Sequence, residues 1–298
     1  MREAPLHLDH DDLLTVVRRE WDTDVTRLEH APVGFGAHHW TAYGPNEPVL
    51  FVTLDRLGRQ RSANDLEAAY AGAAALRLAG LEFVVAPLPS ASGSPIVRFG
   101  SGALSCTVWE HGQSGGPLDV AWTMQALGRL HALPSPDGVP IWQPRVPRTF
   151  AADMELRLQR PWGPGPYADL ARNAVRERLA DLAGWTARYH ELVAHAHGRT
   201  WVATHGEPHS DNQLLTARGR NLVDWESLKL APRERDLRVL VDAGEATVEA
   251  DPEIIEMFDL EWRLDEIDQY AGWFAAEHSG SNDDRIAFGD LLDELSRD

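Results

Sequence analysis

The chain changes character at a glycine cluster within residues 112–116. Before this cluster, β-branched and aromatic runs such as residues 49–54 are typical of strands, and the alanine-rich segment 62–80 is typical of a helix. After it, segments with helical spacing dominate, as in residues 120–133 and 168–196. Closely spaced glycines interrupt regular structure, so the cluster is the predicted linker between two lobes. The sequence therefore predicts an α+β chain.

Composition and charge argue against several classes of protein. The 298 residues include 28 basic and 46 acidic side chains, a formal net charge of −18. This balance argues against a nucleic-acid partner, whose phosphates require a basic surface. Cys106 is the only cysteine, which excludes an internal disulfide and a cysteine-based zinc cluster. With neither a signal-peptide pattern nor an apolar stretch of about 18 residues, we expect a cytoplasmic protein without a membrane partner.

The segment 205–212 is the richest in chemically active side chains, and reads His-Gly-Glu-Pro-His-Ser-Asp-Asn. Pro208 excludes a regular helix or strand, so a shaped loop is predicted. Loops held by a rigid scaffold often carry catalytic groups. Twelve residues after Asn212, Asp224 lies near the end of a short strand predicted over residues 221–225, and Trp225 follows it. The alternating acids and histidines are also compatible with a metallohydrolase loop or with a purely structural turn.

The spacing of these residues resembles the aminoglycoside phosphotransferase and choline kinase family. That family has His-Gly-Asp-x-x-x-x-Asn, then a strand and Ile-Asp-Trp. The resemblance assigns Glu207, with His205, to the catalytic position, where a carboxylate orients the attacking hydroxyl and accepts its proton. It assigns Asn212 and Asp224 to Mg²⁺, which prefers oxygen ligands. Asp236 matches a further family aspartate that steadies the loop.

Other landmarks of the family follow in the same order. Residues 127–133, Leu-Gly-Arg-Leu-His-Ala-Leu, resemble its helix after the linker. The resemblance implies a bilobal protein-kinase-like fold, with a small antiparallel-sheet lobe over residues 1–110 and a larger, mainly helical lobe over 111–298. A glycine hairpin and a hinge would bind the nucleotide. The residues assigned to this role are Gly34, Phe35, Gly36, Val52, Thr53, Val108, Trp109 and Glu110.

Two features depart from the family pattern. Glu207 stands where the family has aspartate, which keeps the carboxylate but adds one methylene. The family also binds the nucleotide phosphates with a lysine on the third strand, paired to a glutamate on a helix, and Thr53 is the best match to that lysine here. Lys229 is the only lysine in the chain, so no lysine can replace it. Either an arginine substitutes, or Mg²⁺ alone holds the phosphates, or the chain does not transfer phosphate. Arginine can bind phosphate through two hydrogen bonds. The candidate replacements are Arg56, Arg59, Arg61 and Arg98, of which Arg56 and Arg98, at predicted strand ends, are preferred.

The expected function is Mg²⁺-dependent transfer of the γ-phosphoryl group of ATP or GTP to a hydroxyl of a small polar molecule. The resemblance implies an aminoglycoside-like antibiotic, and resistance by modification. Glu226 and Asp153 are predicted to contact this substrate. The alternative is a catalytically impaired kinase-like protein that binds nucleotide or drug without phosphoryl transfer.

Overall fold

The chain forms two compact units. One contains Met1–Trp142 and Trp201–Val248, and the other contains Gln143–Thr200 and Glu249–Asp298. The predicted boundary near residue 110 falls inside the first unit, so the division into lobes at that point stays a prediction. The computed structural model describes residues 5, 8–34, 36–58, 61–245 and 249–297.

The first unit begins with an antiparallel sheet and two helices. The strand order is β1-β2-β3-β5-β4. The small antiparallel sheet expected from the sequence is confirmed. The elements are α1 (His10–Glu20), β1 (Arg27–Ala31), β2 (His38–Tyr43), β3 (Pro48–Arg56), α2 (Ala63–Leu78), β4 (Val97–Phe99) and β5 (Gly102–Val108).

The alternation of side chains along β3 gives the sheet two different faces. Leu50 and Val52 are buried in an apolar cluster that also contains Leu13 and Val17 of α1. The residues that alternate with them, including Phe51 and Thr53, point to the opposite face. One face of the sheet is therefore covered by α1, and the other carries polar side chains.

The remainder of the first unit holds two further small sheets. Their strand orders are β6-β8-β9 and β10-β7, both antiparallel. The predicted strand at residues 83–85 is wrong, because only Val84 forms a bridge, to Leu222. The elements are β6 (Gly112–Gln113), α3 (Val120–Ala132), β7 (Trp201–Thr204), β8 (Gln213–Thr216), β9 (Gly219–Leu222), β10 (Lys229–Pro232) and α7 (Glu234–Asp242).

The second unit is helical where it is described. The single helix predicted over residues 168–196 is divided, because Arg178 has φ −102° and ψ 10°, outside the helical range. The helical C-terminal region expected from the sequence is confirmed. The elements are α4 (Phe150–Leu158), α5 (Ala168–Glu177), α6 (Leu179–Ala196), α8 (Pro252–Ala275) and α9 (Asn282–Ser296).

The chain leaves the first unit and returns to it at neighbouring positions. The rings of Trp142 and Trp201 meet edge to face, with centroids 5.8 Å apart. The Trp142 amide donates to the carbonyl of Leu230, and Trp201 pairs with Pro232, so both bind β10. Within the described residues, none of the helices combines the length and apolar character needed to cross a membrane.

Candidate active site

The loop predicted to be catalytic follows β7 and turns sharply at Gly206. This glycine has φ +98°, and a Cβ at this position would lie 2.2 Å from the Arg235 guanidinium. Arg235 donates to the hydroxyl of Thr204 at 2.9 Å. Only glycine satisfies both the backbone conformation and this close packing. The chain can therefore reverse direction immediately before Glu207.

Asp236, the second residue after the start of α7, holds the beginning of this loop. Its Oδ2 accepts from the His205 amide at 3.1 Å and from His131 Nε2 at 2.9 Å, and its Oδ1 accepts from the Gly206 amide at 2.6 Å. Asp236 is fully buried. Although burial opposes its charge, the hydrogen bond from His131 lowers the pKa of Asp236. The expectation that this aspartate steadies the loop agrees with these contacts.

The imidazole of His205 uses both nitrogens to fix the loop. Nε2 lies 2.9 Å from the Val223 carbonyl, and Nδ1 accepts from the Glu207 amide at 3.2 Å. These partners require a proton on Nε2 and none on Nδ1. Burial lowers the pKa of His205, which favours the same neutral form. The ring also packs edge to face on Trp225, with centroids 4.6 Å apart.

Glu207 presents its carboxylate from a half-buried position. The Ser227 hydroxyl donates to Glu207 Oε1 at 3.0 Å, and Asn212 Nδ2 donates to the Glu207 carbonyl at 2.9 Å. Ser227 therefore holds the side chain of Glu207, and Asn212 holds its backbone. A carboxylate with one oxygen fixed in this way can orient a hydroxyl and accept its proton through the other oxygen. Ser227 had no assigned role in the sequence pattern, and only its position two residues after Trp225 could have suggested one.

Asn212 and Asp224 are brought together by a backbone contact. The Val223 amide donates to the Asn212 carbonyl at 2.9 Å, which sets Asp224 beside the end of the loop. Asn212 uses its amide nitrogen on Glu207, so its side-chain oxygen is the group suited to a metal. Asp224 has φ +68°, the only non-glycine residue with positive φ among those described. Such strained backbone is typical of functional sites.

A second carboxyl lies against Asp224. Glu226 follows it by two residues and is buried, and burial together with the nearby Asp224 charge raises the pKa of Glu226 well above its usual range. Burial opposes ionisation of Asp224, but the hydrogen bond from Glu226 lowers its pKa. Glu226 Oε2 receives no hydrogen bond from a conventional donor within the described part of the chain. This oxygen-rich donor set fits a hard divalent cation such as Mg²⁺.

Arg61 brings positive charge to the same carboxyl groups. Its Nη2 donates to Glu226 Oε1 at 3.2 Å and its Nη1 donates to Asp55 Oδ1 at 3.0 Å. The sequence prediction preferred Arg56 and Arg98, but both are exposed, and Arg56 points away from Asp55 along the alternating strand. Arg59 lies outside the described residues. Among the three described candidates, the contacts of Arg61 single it out.

The residues predicted to cover a nucleotide differ in their surroundings. Gly34 and Gly36, at φ +68° and +92°, form the exposed turn before β2, and Phe35 between them lies outside the described residues. A Cβ on Gly34 would lie 3.2 Å from His39 Nε2. Thr53 Oγ1 lies 3.1 Å from His39 Nδ1. The turn therefore lies over the His39 ring.

Val52 and the predicted hinge complete this set. Val52 is fully buried beneath α1, on the strand face opposite to Thr53, and this argues against direct contact with a nucleotide. Val108 is 50% exposed at the end of β5, and the Trp109 amide donates to the Val49 carbonyl at 2.9 Å. Glu110, half-buried, continues the segment in extended form without strand pairing.

Asp153 belongs to the second compact unit. It is exposed near the start of α4, and its Oδ2 accepts from the Thr149 hydroxyl at 2.8 Å. Its assignment to the substrate stays a prediction.

The metallohydrolase alternative receives no support. Within the described ranges, the one group of three or more histidine, cysteine or acidic side chains close enough to share an ion is His195, Asp251 and Glu253, outside the loop.

Known proteins resemble the chain over most of its length. The sequence model of the phosphotransferase enzyme family APH matches residues 44–273. Protein StrN of Streptomyces griseus is 28% identical over 291 residues, which cover 88% of this chain and 84% of that protein. Two solved structures, both under 25% identical, share the fold. The spectinomycin phosphotransferase APH(9)-Ia, in complex with ADP and spectinomycin, gives a TM-score of 0.74 at 14% identity, covering 98% of this chain and 96% of that chain. A choline/ethanolamine kinase family protein from Mesorhizobium loti gives 0.54 at 17% identity, covering 96% and 92%.

Proposed function

The chain belongs to the phosphotransferase enzyme family, and we propose that it transfers the γ-phosphoryl group of ATP or GTP to a hydroxyl of a small polar molecule. The family match confirms the enzyme class predicted from the sequence. The resemblance to protein-kinase-like enzymes in fold is likewise confirmed. The nucleotide, the acceptor and the roles of individual residues are the proposed part.

One observation carries the proposal: hydrogen bonds to the backbone hold together the three residues proposed for phosphoryl transfer, Glu207, Asn212 and Asp224. Asn212 donates to the carbonyl of Glu207, and its own carbonyl accepts from the residue before Asp224. A proton acceptor and two oxygen ligands for a metal are thus fixed to one another. Phosphoryl transfer depends on positioning and on electrostatic stabilisation, and this arrangement supplies both.

Each residue then has a role that follows from its contacts. Glu207, oriented by Ser227, accepts the proton of the acceptor hydroxyl as that oxygen bonds to the γ-phosphorus, and the bond from the γ-phosphorus to the departing nucleoside diphosphate breaks. Asn212 and Asp224 hold Mg²⁺. When bound, the metal neutralises charge on the phosphates. His205 is a positioning residue, because both of its ring nitrogens are engaged in holding the loop.

The nucleotide is proposed to lie on the polar face of the five-stranded sheet, beneath the turn at Gly34 and Gly36. The hinge at Val108, Trp109 and Glu110 would contact the base through its backbone, which does not distinguish ATP from GTP. The ADP in the spectinomycin phosphotransferase structure supports a purine nucleotide.

The acceptor is proposed to be an aminoglycoside or a similar hydroxyl-bearing antibiotic. Spectinomycin in that same structure supports this class, and the net charge of −18 is compatible with a cationic acceptor. Asp153 remains a candidate for binding it. Glu226 was predicted for this role as well, but its contacts with Asp224 and Arg61 favour a role beside the metal and phosphates.

The decisive experiment is a mass-spectrometric screen. The protein, Mg²⁺ and ATP or GTP are incubated with a panel of aminoglycosides and other hydroxyl-bearing antibiotics, beside a Glu207→Ala control. We expect one acceptor to gain a single phosphoryl group, and the control to lose the product. Nucleotide binding without product on any acceptor would favour the competing function, a nucleotide-binding protein without phosphoryl transfer. The missing third-strand lysine is the observation that supports that alternative.

A further inference from the structure

The position expected to bind the nucleotide phosphates carries no charge in this protein. Thr53 occupies it, and its hydroxyl is hydrogen-bonded to His39. Two residues further along β3, Asp55 lies on the same strand face and is only 1% exposed. The strand therefore presents an acid close to the place where the family presents a cation.

The matching cation comes from the segment that precedes α2. Arg61 stands directly before Ser62, the N-terminal cap of that helix, and it binds Asp55 from there. In the family, the strand supplies the positive group and a helix supplies the glutamate. In this chain an ion pair also joins the strand to the helix region, but the signs of the two partners are interchanged.

We propose that Arg61 is the cation that binds the nucleotide phosphates, and that Asp55 is the positioning residue that holds it. The inference rests on the proposed function, because it assigns a residue to the nucleotide site of that reaction. Arg61 also contacts Glu226, two residues from the proposed metal ligand Asp224. Its guanidinium is thereby held where phosphates coordinated to that metal would lie.

Asp55 is itself fixed by two donors. Its Oδ1 accepts from Arg61, and its Oδ2 accepts from the hydroxyl of Tyr70, on α2, at 2.9 Å. The Arg61 side chain is 32% exposed, whereas that of Asp55 is 2% exposed. The acid is thus enclosed while the cation remains open to solvent. The bonds from Arg61 to Asp55 and Glu226 use two of its five guanidinium donors. The planar guanidinium suits bidentate contact with phosphate oxygens.

Two neighbouring acids keep Arg61 charged. Burial opposes its charge, but Glu226 and Asp55 outweigh burial and raise the pKa of Arg61 above its ordinary value. A metal ion held by Asn212 and Asp224 would compete with Arg61 for the charge of Glu226, which would leave more of the guanidinium available to phosphate. The same arginine thus neutralises the site before nucleotide binding and contributes to binding afterwards.

Affinity for Mg²⁺–ATP and for adenosine, measured by calorimetry, tests the inference. Arg61→Gln should weaken Mg²⁺–ATP about 10- to 100-fold, as expected for charged hydrogen bonds, and should change adenosine affinity less than about 2-fold. Arg61→Lys should retain part of the ATP affinity. Arg56→Gln, at the exposed end of the same strand, is the matched control and should behave like the wild type.

Two further variants separate folding from binding. Arg61→Gln leaves Asp55 buried without its partner, so the double variant Asp55→Asn with Arg61→Gln removes both charges and should fold with the same loss of ATP affinity. Asp55→Asn alone should weaken ATP several-fold without affecting adenosine. Wild-type ATP affinity in Arg61→Gln or in the double variant, or an equal loss for ATP and adenosine, would overturn the inference alone. Absence of any nucleotide binding by the wild type would overturn the proposed function with it.

Discussion

The hydroxyl of Ser227 donates a hydrogen bond of 3.0 Å to Oε1 of Glu207. This contact joins the loop of Glu207 to the turn that carries Asp224, so the proposed proton acceptor and the proposed metal ligand are positioned by the same structural element. The glutamate is longer than the family's aspartate by one methylene, and the serine fixes the end of this longer side chain. The departure from the family pattern at residue 207 therefore has a compensating contact.

Glu207→Gln should reduce kcat by at least about 100-fold, because the amide keeps the contact with Ser227 but cannot accept the proton. The affinity for Mg²⁺–nucleotide should change less than about 2-fold. Steady-state kinetics with the acceptor found in the screen, together with calorimetry, measure the two quantities. Retention of near wild-type kcat would exclude Glu207 as the proton acceptor.

Ser227→Ala should lower kcat by a smaller factor, about 3- to 10-fold, because the carboxylate remains but loses its orientation. The matched control is Ser210→Ala, in the same loop, whose hydroxyl makes no contact with Glu207 in the described part of the chain. A Ser227 variant with unchanged kcat and KM would show that Glu207 is oriented by other means.

Asp224→Asn should abolish the Mg²⁺-dependent part of the nucleotide-induced rise in Tm. Asparagine tolerates the left-handed backbone of this position, so the change removes charge without new strain. Asp224→Ala adds about 1 kcal/mol of backbone cost and should unfold at a lower temperature than Asp224→Asn. Thermal unfolding with nucleotide, in Mg²⁺ or in EDTA, distinguishes the variants. An undiminished Mg²⁺ effect in Asp224→Asn would place the metal elsewhere.

Asp236→Asn should destabilise the fold by about 3 kcal/mol and lower kcat as well. An amide has one accepting oxygen, so it cannot serve the two loop amides and His131 together, and a buried donor is left without a partner. Denaturant unfolding measures the stability. Asp137→Asn, at an exposed position after α3, is the control and should change stability by less than about 0.5 kcal/mol. Equal effects of the two substitutions would contradict the role of Asp236.

Because of His39, the free energy of unfolding of the ligand-free protein should be lower at pH 5 than at pH 7. Burial lowers the pKa of His39 from 6.5 to about 4, so between these values the unfolded chain binds a proton that the folded protein does not. Stability contributed by the neutral ring is therefore present above pH 6.5 and lost as the pH falls toward 4.

His39→Gln should remove roughly 1–2 kcal/mol of the stability difference between pH 7 and pH 5. Comparing the variant with the wild type isolates His39 from Asp55, whose raised pKa of about 6 acts in the opposite sense. Denaturant unfolding in EDTA at both pH values measures the effect. Identical pH dependence of the two proteins would show that His39 is ionised normally in the folded state.

The part of the candidate site that sequence patterns predicted consists of residues that are close together in the chain. The loop from His205 to Asn212 follows from its proline and its spacing, and Asp224 follows at the end of an apolar run. Asp224 itself was predicted to lie in a strand, but β9 ends at Leu222, because the left-handed backbone of Asp224 is incompatible with a strand. Conformations imposed by tertiary contacts leave no local signal.

The role of Arg61 could not be predicted from spacing. Arg56 and Arg98 were preferred because they stand at strand ends, but a strand end does not determine the direction of a side chain. Arg61 reaches Glu226, 165 positions away in the chain, and that pairing depends on the fold. The helix division at Arg178 was also missed, since neither proline nor glycine marks it.

The paired tryptophans Trp142 and Trp201 also bear on how such an enzyme can diversify. The 58 residues between them begin and end at adjacent points on one strand, so they form an excursion from a closed framework. Insertions, deletions and exchanges within this excursion leave the framework's own strand pairing intact. Sequence changes confined to this stretch can therefore accumulate without disturbing the strand pairing that supports the loop at Glu207.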